Sequence, residues 1–180
     1  MNEEKVKITA LDIRIVIAVA ICYFTSVAFK QFNLMFLWNG VQLEIIQGMT
    51  ACFACLLCCQ DNTAVSKKAG INRLIITAIG GLVGICVILI DQAAGNPWLM
   101  VPLIAFGVLL TLLLCKAAKV PYINARIGGL TCILVCSTMP GTARIFYAPF
   151  RLLSTLYGVL ITLLVTWICT SLAKKKQPSV

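Results

Sequence analysis

Six long apolar runs limit the possible folds of this chain more strongly than any other feature. They lie at 13–29, 41–60, 74–90, 97–115, 123–139 and 152–172. A helix needs about 20 apolar residues to cross the hydrocarbon core of a bilayer, within a range of roughly 17 to 25. The runs therefore predict an all-α integral membrane protein with six transmembrane helices in a single domain, residues 1–180. The fifth run is the weakest, because it is short and contains Arg126.

Composition excludes a soluble helical domain. Hydrophobic residues make up 61% of the chain and charged residues only 12%, whereas soluble domains carry about 25% charged residues. The formal net charge is +9. Because the basic residues are confined to the ends of the runs and the short connectors, they indicate contact with anionic lipid headgroups rather than with nucleic acid.

The basic residues also predict the orientation of the helices. With six spans, twelve of the fifteen Lys and Arg residues fall on one side of the membrane. Cytoplasmic loops carry an excess of Lys and Arg, so we expect a multi-pass plasma-membrane protein with both termini in the cytoplasm. The twelve are Lys5, Lys7, Arg14, Lys67, Lys68, Arg73, Lys116, Lys119, Arg126, Lys174, Lys175 and Lys176, and the three on the outer side are Lys30, Arg144 and Arg151.

The same helix start occurs twice. Arg73–Gly80 and Arg151–Gly158 share the pattern R-L-x-x-T-x-x-G, and Gly48–Cys55 resembles Gly129–Cys136 in the second and fifth runs. A three-span unit that is repeated once must be inverted, because three is odd. The pattern predicts a 3+3 inverted repeat, which is typical of secondary transporters. Chance similarity between apolar helices remains the alternative.

These motifs also follow one another in a familiar order. Arg14 opens the first run, a polar turn at 60–63 ends the second, a basic linker at 66–73 leads into Thr77–Gly81, and Arg151–Gly158 opens the last. The chain resembles the FUSC or aromatic acid exporter superfamily, which includes fusaric acid resistance proteins, aromatic carboxylic acid efflux proteins and aluminium-activated malate transporters. The resemblance covers nearly the whole chain. It implies transport of small organic anions by a homodimer.

Two positions depart from the family pattern. Ser154 stands where an acidic residue is usual, and Thr166 stands where a polar amide is often found. Many members also carry a cytoplasmic C-terminal domain, whereas this chain ends about eight residues after the last run. We therefore expect no regulation through such a domain, and we expect a complete pathway to need two copies.

The candidate substrate residues lie near the ends of the runs, because no run carries a charge at its centre. Arg144 and Arg151 come first, since they lie on the side where positive charge is disfavoured and a guanidinium can grip a carboxylate with two hydrogen bonds. Arg73, Thr77 and Thr155 complete the predicted site, and a cytoplasmic anchor is the alternative role for Arg73. The alternatives are that the arginines reach lipid phosphates and that the threonines only pack helices.

A proton-coupled exporter also needs a titratable carboxylate in its path. Glu44, at the outer start of the second run, is the candidate for proton coupling. The alternative is a carboxylate that is simply solvated at the membrane interface.

Ten cysteines and no histidine occur in the chain. Cys52, Cys55, Cys58 and Cys59 form a C-x-x-C-x-x-C-C pattern, but a straight helix places Cys58 off the face of the other three, so packing is favoured over a metal site. No sequence motif of an enzyme is present, and we predict no enzymatic activity, cofactor or metal. The leading function is efflux of aromatic carboxylic acids. The alternatives are a scaffold or accessory subunit and a membrane oxidoreductase that uses these cysteines.

Overall fold

The computed structural model describes residues 9–139 and 141–175. The chain is mostly helical, with one small β-hairpin near its start. The elements are α1 (Ala10–Gln31), β1 (Met35–Trp38), β2 (Val41–Glu44), α2 (Gly48–Cys58), α3 (Thr63–Ala94), a short 3-10 turn (Pro97–Leu99), α4 (Met100–Ala117), α5 (Tyr122–Ser137) and α6 (Ala143–Lys175). The predicted cytoplasmic residues Lys5, Lys7 and Lys176 lie outside the described residues.

Among the described residues, four of the six helices are long and apolar enough to cross a membrane: α1, α3, α4 and α6. α3 contains 32 residues and α6 contains 33, which gives each a length of about 50 Å. Both therefore exceed the roughly 30 Å hydrocarbon core of a bilayer. α3 begins where the side chain of Asn62 accepts a hydrogen bond from the Ala64 amide, and it ends at Gly95, which adopts a left-handed conformation.

The prediction of one helix over 41–60 is wrong at its first residues, which form a strand. The fold is therefore mostly helical rather than all-α. β1 pairs antiparallel with β2, with Trp38 opposite Val41. Asn39 and Gly40 connect the strands with φ values of 45° and 80°, and such positive φ values are those of a two-residue hairpin turn. The hairpin leaves only 11 residues for α2. The second run therefore combines a hairpin with a short helix.

The two short helices, α2 and α5, are apolar but fall below the length of a full span. α2 has 11 residues and α5 has 16, so they are about 16 and 24 Å long. α2 packs against α1 and α6, and α5 packs against α3 and α4. Each short helix is thus surrounded by longer helices.

Three polar contacts define the two ends of the bundle. At one end, the Arg14 guanidinium donates a hydrogen bond of 3.2 Å to the carbonyl of Asp61, which joins the start of α1 to the α2–α3 turn. At the other end, Lys30 pairs with Glu44 at 2.7 Å beside the hairpin. The end of α3 meets the start of α6 through an ion pair described below. We call these the Arg14 end and the hairpin end.

Two glycines bring the long helices close to the short ones. A Cβ at Gly80 of α3 would lie 2.5 Å from the carbonyl oxygen of Gly128 in α5. A Cβ at Gly158 of α6 would lie 2.5 Å from the carbonyl oxygen of Ala51 in α2. Both distances are too short for a side chain, so close approach of the backbones requires glycine at each position.

The outer surface of the bundle is apolar. Phe24, Leu82 and Trp167 expose 75%, 65% and 61% of their surface, and none of these side chains has a polar group that needs water except the Trp indole. In contrast, many small and polar residues, including Thr111 and Thr162, are fully buried. This distribution matches a protein whose solvent is lipid.

Candidate anion site

Two arginines are buried in the bundle, one in each copy of the R-L-x-x-T-x-x-G pattern. Arg73 lies in the first half of α3 and Arg151 in the first half of α6, with only 6% and 5% of their surfaces exposed. A guanidinium stays charged at any pH that proteins tolerate. The ion pairs among the described residues join Lys30 to Glu44 and Arg144 to Asp91, so neither buried arginine has a carboxylate partner there.

Arg151 is held by two hydroxyl groups. Its Nη1 donates to Thr50 Oγ1 on α2 and to Tyr147 Oη one turn earlier on α6, both at 3.3 Å. The Thr50 hydroxyl in turn donates to Gln47 Oε1 at 3.1 Å. The Nε of Arg151 is buried and has no hydrogen-bond partner within the described part of the chain. The arginine is thus positioned by neutral groups, and no carboxylate among the described residues compensates its charge.

Gln47 and Ser154 fasten the start of α2 to α6. The backbone N–H of Gln47 donates to Ser154 Oγ at 2.7 Å, and the Ser154 hydroxyl donates to the Phe150 carbonyl at the same distance. The Gln47 side chain donates to the Tyr147 carbonyl at 3.4 Å. Ser154 is therefore a structural link here, in the position where the family pattern has an acid.

A cavity of about 290 Å³ opens beside Arg151 at the hairpin end. α2, the end of α5 and α6 surround it, together with the last residues of the hairpin. Its walls are mostly apolar, and its charged residues are Arg151 and Glu44. The lining residues that matter most here are Glu44, Thr50, Phe53, Leu134, Tyr147 and Arg151. A carboxylate with an apolar body fits this combination of one cation and apolar walls.

Arg73 is in a much smaller space. A cavity of about 30 Å³ near the Arg14 end is lined by Arg73, Cys58 and Asn124 together with apolar side chains. Arg73 Nε and Nη1 are both buried and have no hydrogen-bond partner within residues 9–139 and 141–175. The second buried arginine therefore has more unused donors than Arg151 and much less room.

The two predicted threonines do not line either cavity. The Thr77 hydroxyl donates to the Arg73 carbonyl and the Thr155 hydroxyl to the Arg151 carbonyl, each at 2.9 Å. Both side chains are buried, at 2% and 0% exposed. Each hydroxyl has thus used its only proton on its own helix, one turn after the arginine.

Arg144 lies at the hairpin end but apart from Arg151. Its Nη2 is 3.1 Å from Asp91 Oδ2 at the end of α3, and its other nitrogens donate to the carbonyls of Gly141 and Cys136. The guanidinium thus joins α3, α5 and α6. Glu44, the predicted proton-coupling residue, lines the large cavity while it pairs with Lys30.

The cysteines form no group of three or more metal ligands within the described residues. All ten thiols are free. Cys55, Cys58 and Cys59 are buried and Cys52 is partly buried, and the sulfurs of Cys22 and Cys55 lie 3.3 Å apart where α1 packs on α2.

The sequence patterns did not identify four residues that line the two cavities: Gln47, Thr50, Tyr147 and Asn124. Gln47 is visible in the sequence as an amide one turn after Glu44. The other three carry no local signal, because their roles depend on which helices come together.

The buried arginines, the apolar exterior and the four long apolar helices define a multi-pass α-helical membrane protein with a cationic interior site. A family model described as fusaric acid resistance protein-like matches residues 34–165. The chain therefore belongs to this family of membrane proteins, a transporter family, as its motifs predicted. No curated protein and no solved structure matches the chain.

Proposed function

We propose that this protein transports small organic anions, with efflux of aromatic carboxylic acids as its most specific form. The observation that carries the proposal is Arg151, a buried guanidinium without a carboxylate partner that lines a cavity of about 290 Å³. A guanidinium that lines a cavity can bind a carboxylate with charge-assisted hydrogen bonds. Phe53 and Leu134 supply apolar walls for the rest of such a ligand.

The path of the anion runs between the short helices α2 and α5. The large cavity is lined by the start of α2 and the end of α5, and the small cavity by the end of α2 and the start of α5. Arg73 lies at the Arg14 end of this line and Arg151 at the hairpin end, and passage of an organic acid beside Arg73 requires that the small cavity widens. The guanidinium of Arg151 lowers the cost of bringing an anion into the bilayer interior.

We propose six membrane crossings, with both termini in the cytoplasm. Three contacts support this order. Arg14–Asp61 and Lys30–Glu44 show that α1 and α2 run in opposite directions. Arg144–Asp91 shows that α3 ends on the side where α6 begins. The excess of Lys and Arg favours the Arg14 end as the cytoplasmic one. Accessibility of tags at the two termini in intact cells tests this orientation: reactivity of one terminus from outside contradicts it.

We also propose that α1–α3 and α4–α6 form an inverted repeat. When α1, α2 and α3 are matched with α4, α5 and α6, the helix contacts match as well. The α1–α2 contact corresponds to α4–α5, the α2–α6 contact to α5–α3, and the α1–α6 contact to α4–α3. The close approach of Gly158 to Ala51 likewise corresponds to that of Gly80 to Gly128. These contacts support an alignment of Ala51 with Gly128, about one turn away from the alignment of Gly48 with Gly129.

A homodimer remains part of the proposal. An apolar groove between α3 and α6, lined by Ala78, Pro149 and Leu152, lies on the surface of the bundle and offers a face for a second copy. Subunit counting by single-molecule photobleaching in liposomes is expected to give two bleaching steps. A single step would remove the dimer and leave the transport proposal intact.

Arg144 and Glu44 stay predicted site residues. The ion pair with Asp91 favours a structural role for Arg144, and the ion pair with Lys30 holds Glu44 beside the cavity. Proton coupling through Glu44 requires that the pair with Lys30 opens. The proposal assigns the chain transport and no catalytic step.

The experiment is flux of labelled benzoate in proteoliposomes. We expect saturable flux for the wild type and a loss of at least about tenfold for Arg151→Gln, because hydrogen bonds to a charged group contribute about 1.5–3 kcal/mol. Arg126→Gln is the matched control, since Arg126 is exposed. Equal flux through both variants, or no flux of any organic acid through the wild type, contradicts the proposal.

A further inference from the structure

Arg73 poses a problem that the transport of organic acids does not solve. Its guanidinium is buried, at 6% exposed, and two of its three nitrogens have no hydrogen-bond partner in the described part of the chain. A buried charge without a partner is strongly unfavourable. Lysine or histidine could lose its proton in such a place, but arginine cannot. A bound anion would both accept hydrogen bonds from Arg73 and compensate its charge.

The size of the cavity limits what that anion can be. The space beside Arg73 measures about 30 Å³, and a cavity needs roughly 10–15 Å³ by this measure to hold one water molecule. It therefore accepts one or two water-sized species. The cavity beside Arg151 is almost ten times larger, at about 290 Å³. An aromatic acid fits the larger cavity and a monatomic anion fits the smaller one.

The lining of the small cavity favours an anion over water or a cation. Besides Arg73 it contains the Asn124 amide and the Cys58 thiol, which can both donate hydrogen bonds. The other lining side chains are apolar: Leu57, Ala69, Ile76 and Ile127. Water can satisfy the donors but leaves the charge uncompensated, whereas an anion does both.

Comparison with the large cavity shows why Arg73 is left without partners. Asn124 lines the small cavity much as Gln47 lines the large one. In the proposed repeat, however, Ile127 and Ala69 are the counterparts of Thr50 and Tyr147, and both line the small cavity. The two hydroxyls that accept hydrogen bonds from Arg151 thus have apolar counterparts beside Arg73.

We propose that Arg73 holds a small inorganic anion, chloride under ordinary conditions, in the cavity that it shares with Asn124 and Cys58. The anion neutralises the guanidinium at the Arg14 end of the path. The site is separate from the organic anion site at Arg151. It stands whether or not Arg151 binds an organic acid.

Thermal melting of the purified protein in nanodiscs tests the inference. In gluconate buffer, added chloride or bromide is expected to raise the melting temperature of the wild type by about 3 °C or more with saturation, because a ligand that binds only the folded state stabilises it. Arg73→Gln is expected to lose this rise, whereas Arg126→Gln keeps it. An equal rise in wild type and Arg73→Gln overturns the inference.

Two further measurements keep the test decisive. If Arg73→Gln does not fold, crystals of the wild type grown in bromide are expected to show an anomalous peak next to Arg73, and the absence of that peak at saturating bromide overturns the inference. Benzoate provides the second arm. Its stabilising effect is expected to disappear in Arg151→Gln and to persist in Arg73→Gln, so failure of the organic anion site and failure of the chloride site give different results.

Discussion

The two buried arginines, Arg73 and Arg151, open the same sequence pattern but lie in different surroundings. Arg151 is held by Thr50 and Tyr147 beside a cavity of about 290 Å³, whereas Arg73 has two bare nitrogens beside a cavity of about 30 Å³. The R-L-x-x-T-x-x-G pattern fixes the position of each arginine on its helix. The neighbouring short helix decides what that arginine can bind.

Gly80→Ala and Gly158→Ala test whether the two halves pack alike, and we expect the largest effects on stability here. In each variant the new Cβ would lie 2.5 Å from a backbone oxygen of the facing short helix. Because the facing backbone cannot shift without strain, the free energy of unfolding of each variant is expected to fall by about 3 kcal/mol. Denaturation in detergent measures it. Gly81→Ala is the control, since its Cβ would meet Ala148 at an ordinary 3.6 Å. A tolerated change at one glycine alone would break the comparison.

Arg144→Gln tests whether the other arginine of the predicted outer side belongs with Arg151. The Arg144–Asp91 pair is largely buried, with side chains 16% and 15% exposed, so its loss is expected to cost about 2 kcal/mol, between the values for exposed and buried pairs. Benzoate affinity is expected to stay within about twofold of the wild type. Adding Asp91→Asn to Arg144→Gln is expected to recover part of the stability. A variant with full stability and lost flux would return Arg144 to the substrate site.

Thr50→Val removes one of the two hydroxyls that position Arg151. A hydrogen bond contributes about 1 kcal/mol net, so benzoate affinity is expected to fall about fivefold in a binding or flux assay. The matched control is Thr155→Val, whose hydroxyl bonds the carbonyl of Arg151 rather than its guanidinium. Equal losses in the two variants would mean that the hydroxyl of Thr50 has no particular role.

Ile127→Thr makes the small site resemble the large one and has the smallest expected effect. A hydroxyl there offers Arg73 the acceptor that Thr50 offers Arg151. Because the guanidinium then has a protein partner, chloride affinity is expected to fall about threefold. Ile123→Thr, at a side chain that is 77% exposed, serves as the control. Stronger chloride binding in Ile127→Thr would contradict the reading of Arg73 as an unsatisfied cation.

The helices were largely predictable from the apolar runs, but the hairpin was not predicted. Asn39-Gly40 between apolar residues is a strong hairpin signal, yet the apolar residues from 41 onward suggested a continuous span. The packing of the hairpin explains why it forms. Phe36 and Trp38 contact Phe146, with ring centroids 5.4 and 4.6 Å apart, so the hairpin is stabilised by the start of α6, more than 100 residues later.

The site was predictable only in part. The outer position of Arg151 and the repeated helix start pointed to Arg151 and Arg73, and the structure buries both. Their binding of a substrate stays a prediction. Their difference could not be found, because it depends on which residues of α2 and α5 approach each arginine. The sequence also could not show that Asp91 pairs with Arg144, since the two lie 53 residues apart.

The most direct test of the account is a crystal structure of the wild type with para-bromobenzoate in a lipid phase, read by anomalous scattering of bromine. The account predicts one bromine peak between Phe53 and Leu134, with the carboxylate bound to Arg151. A bromine peak in the apolar groove between α3 and α6, with no ligand density at Arg151, would contradict it.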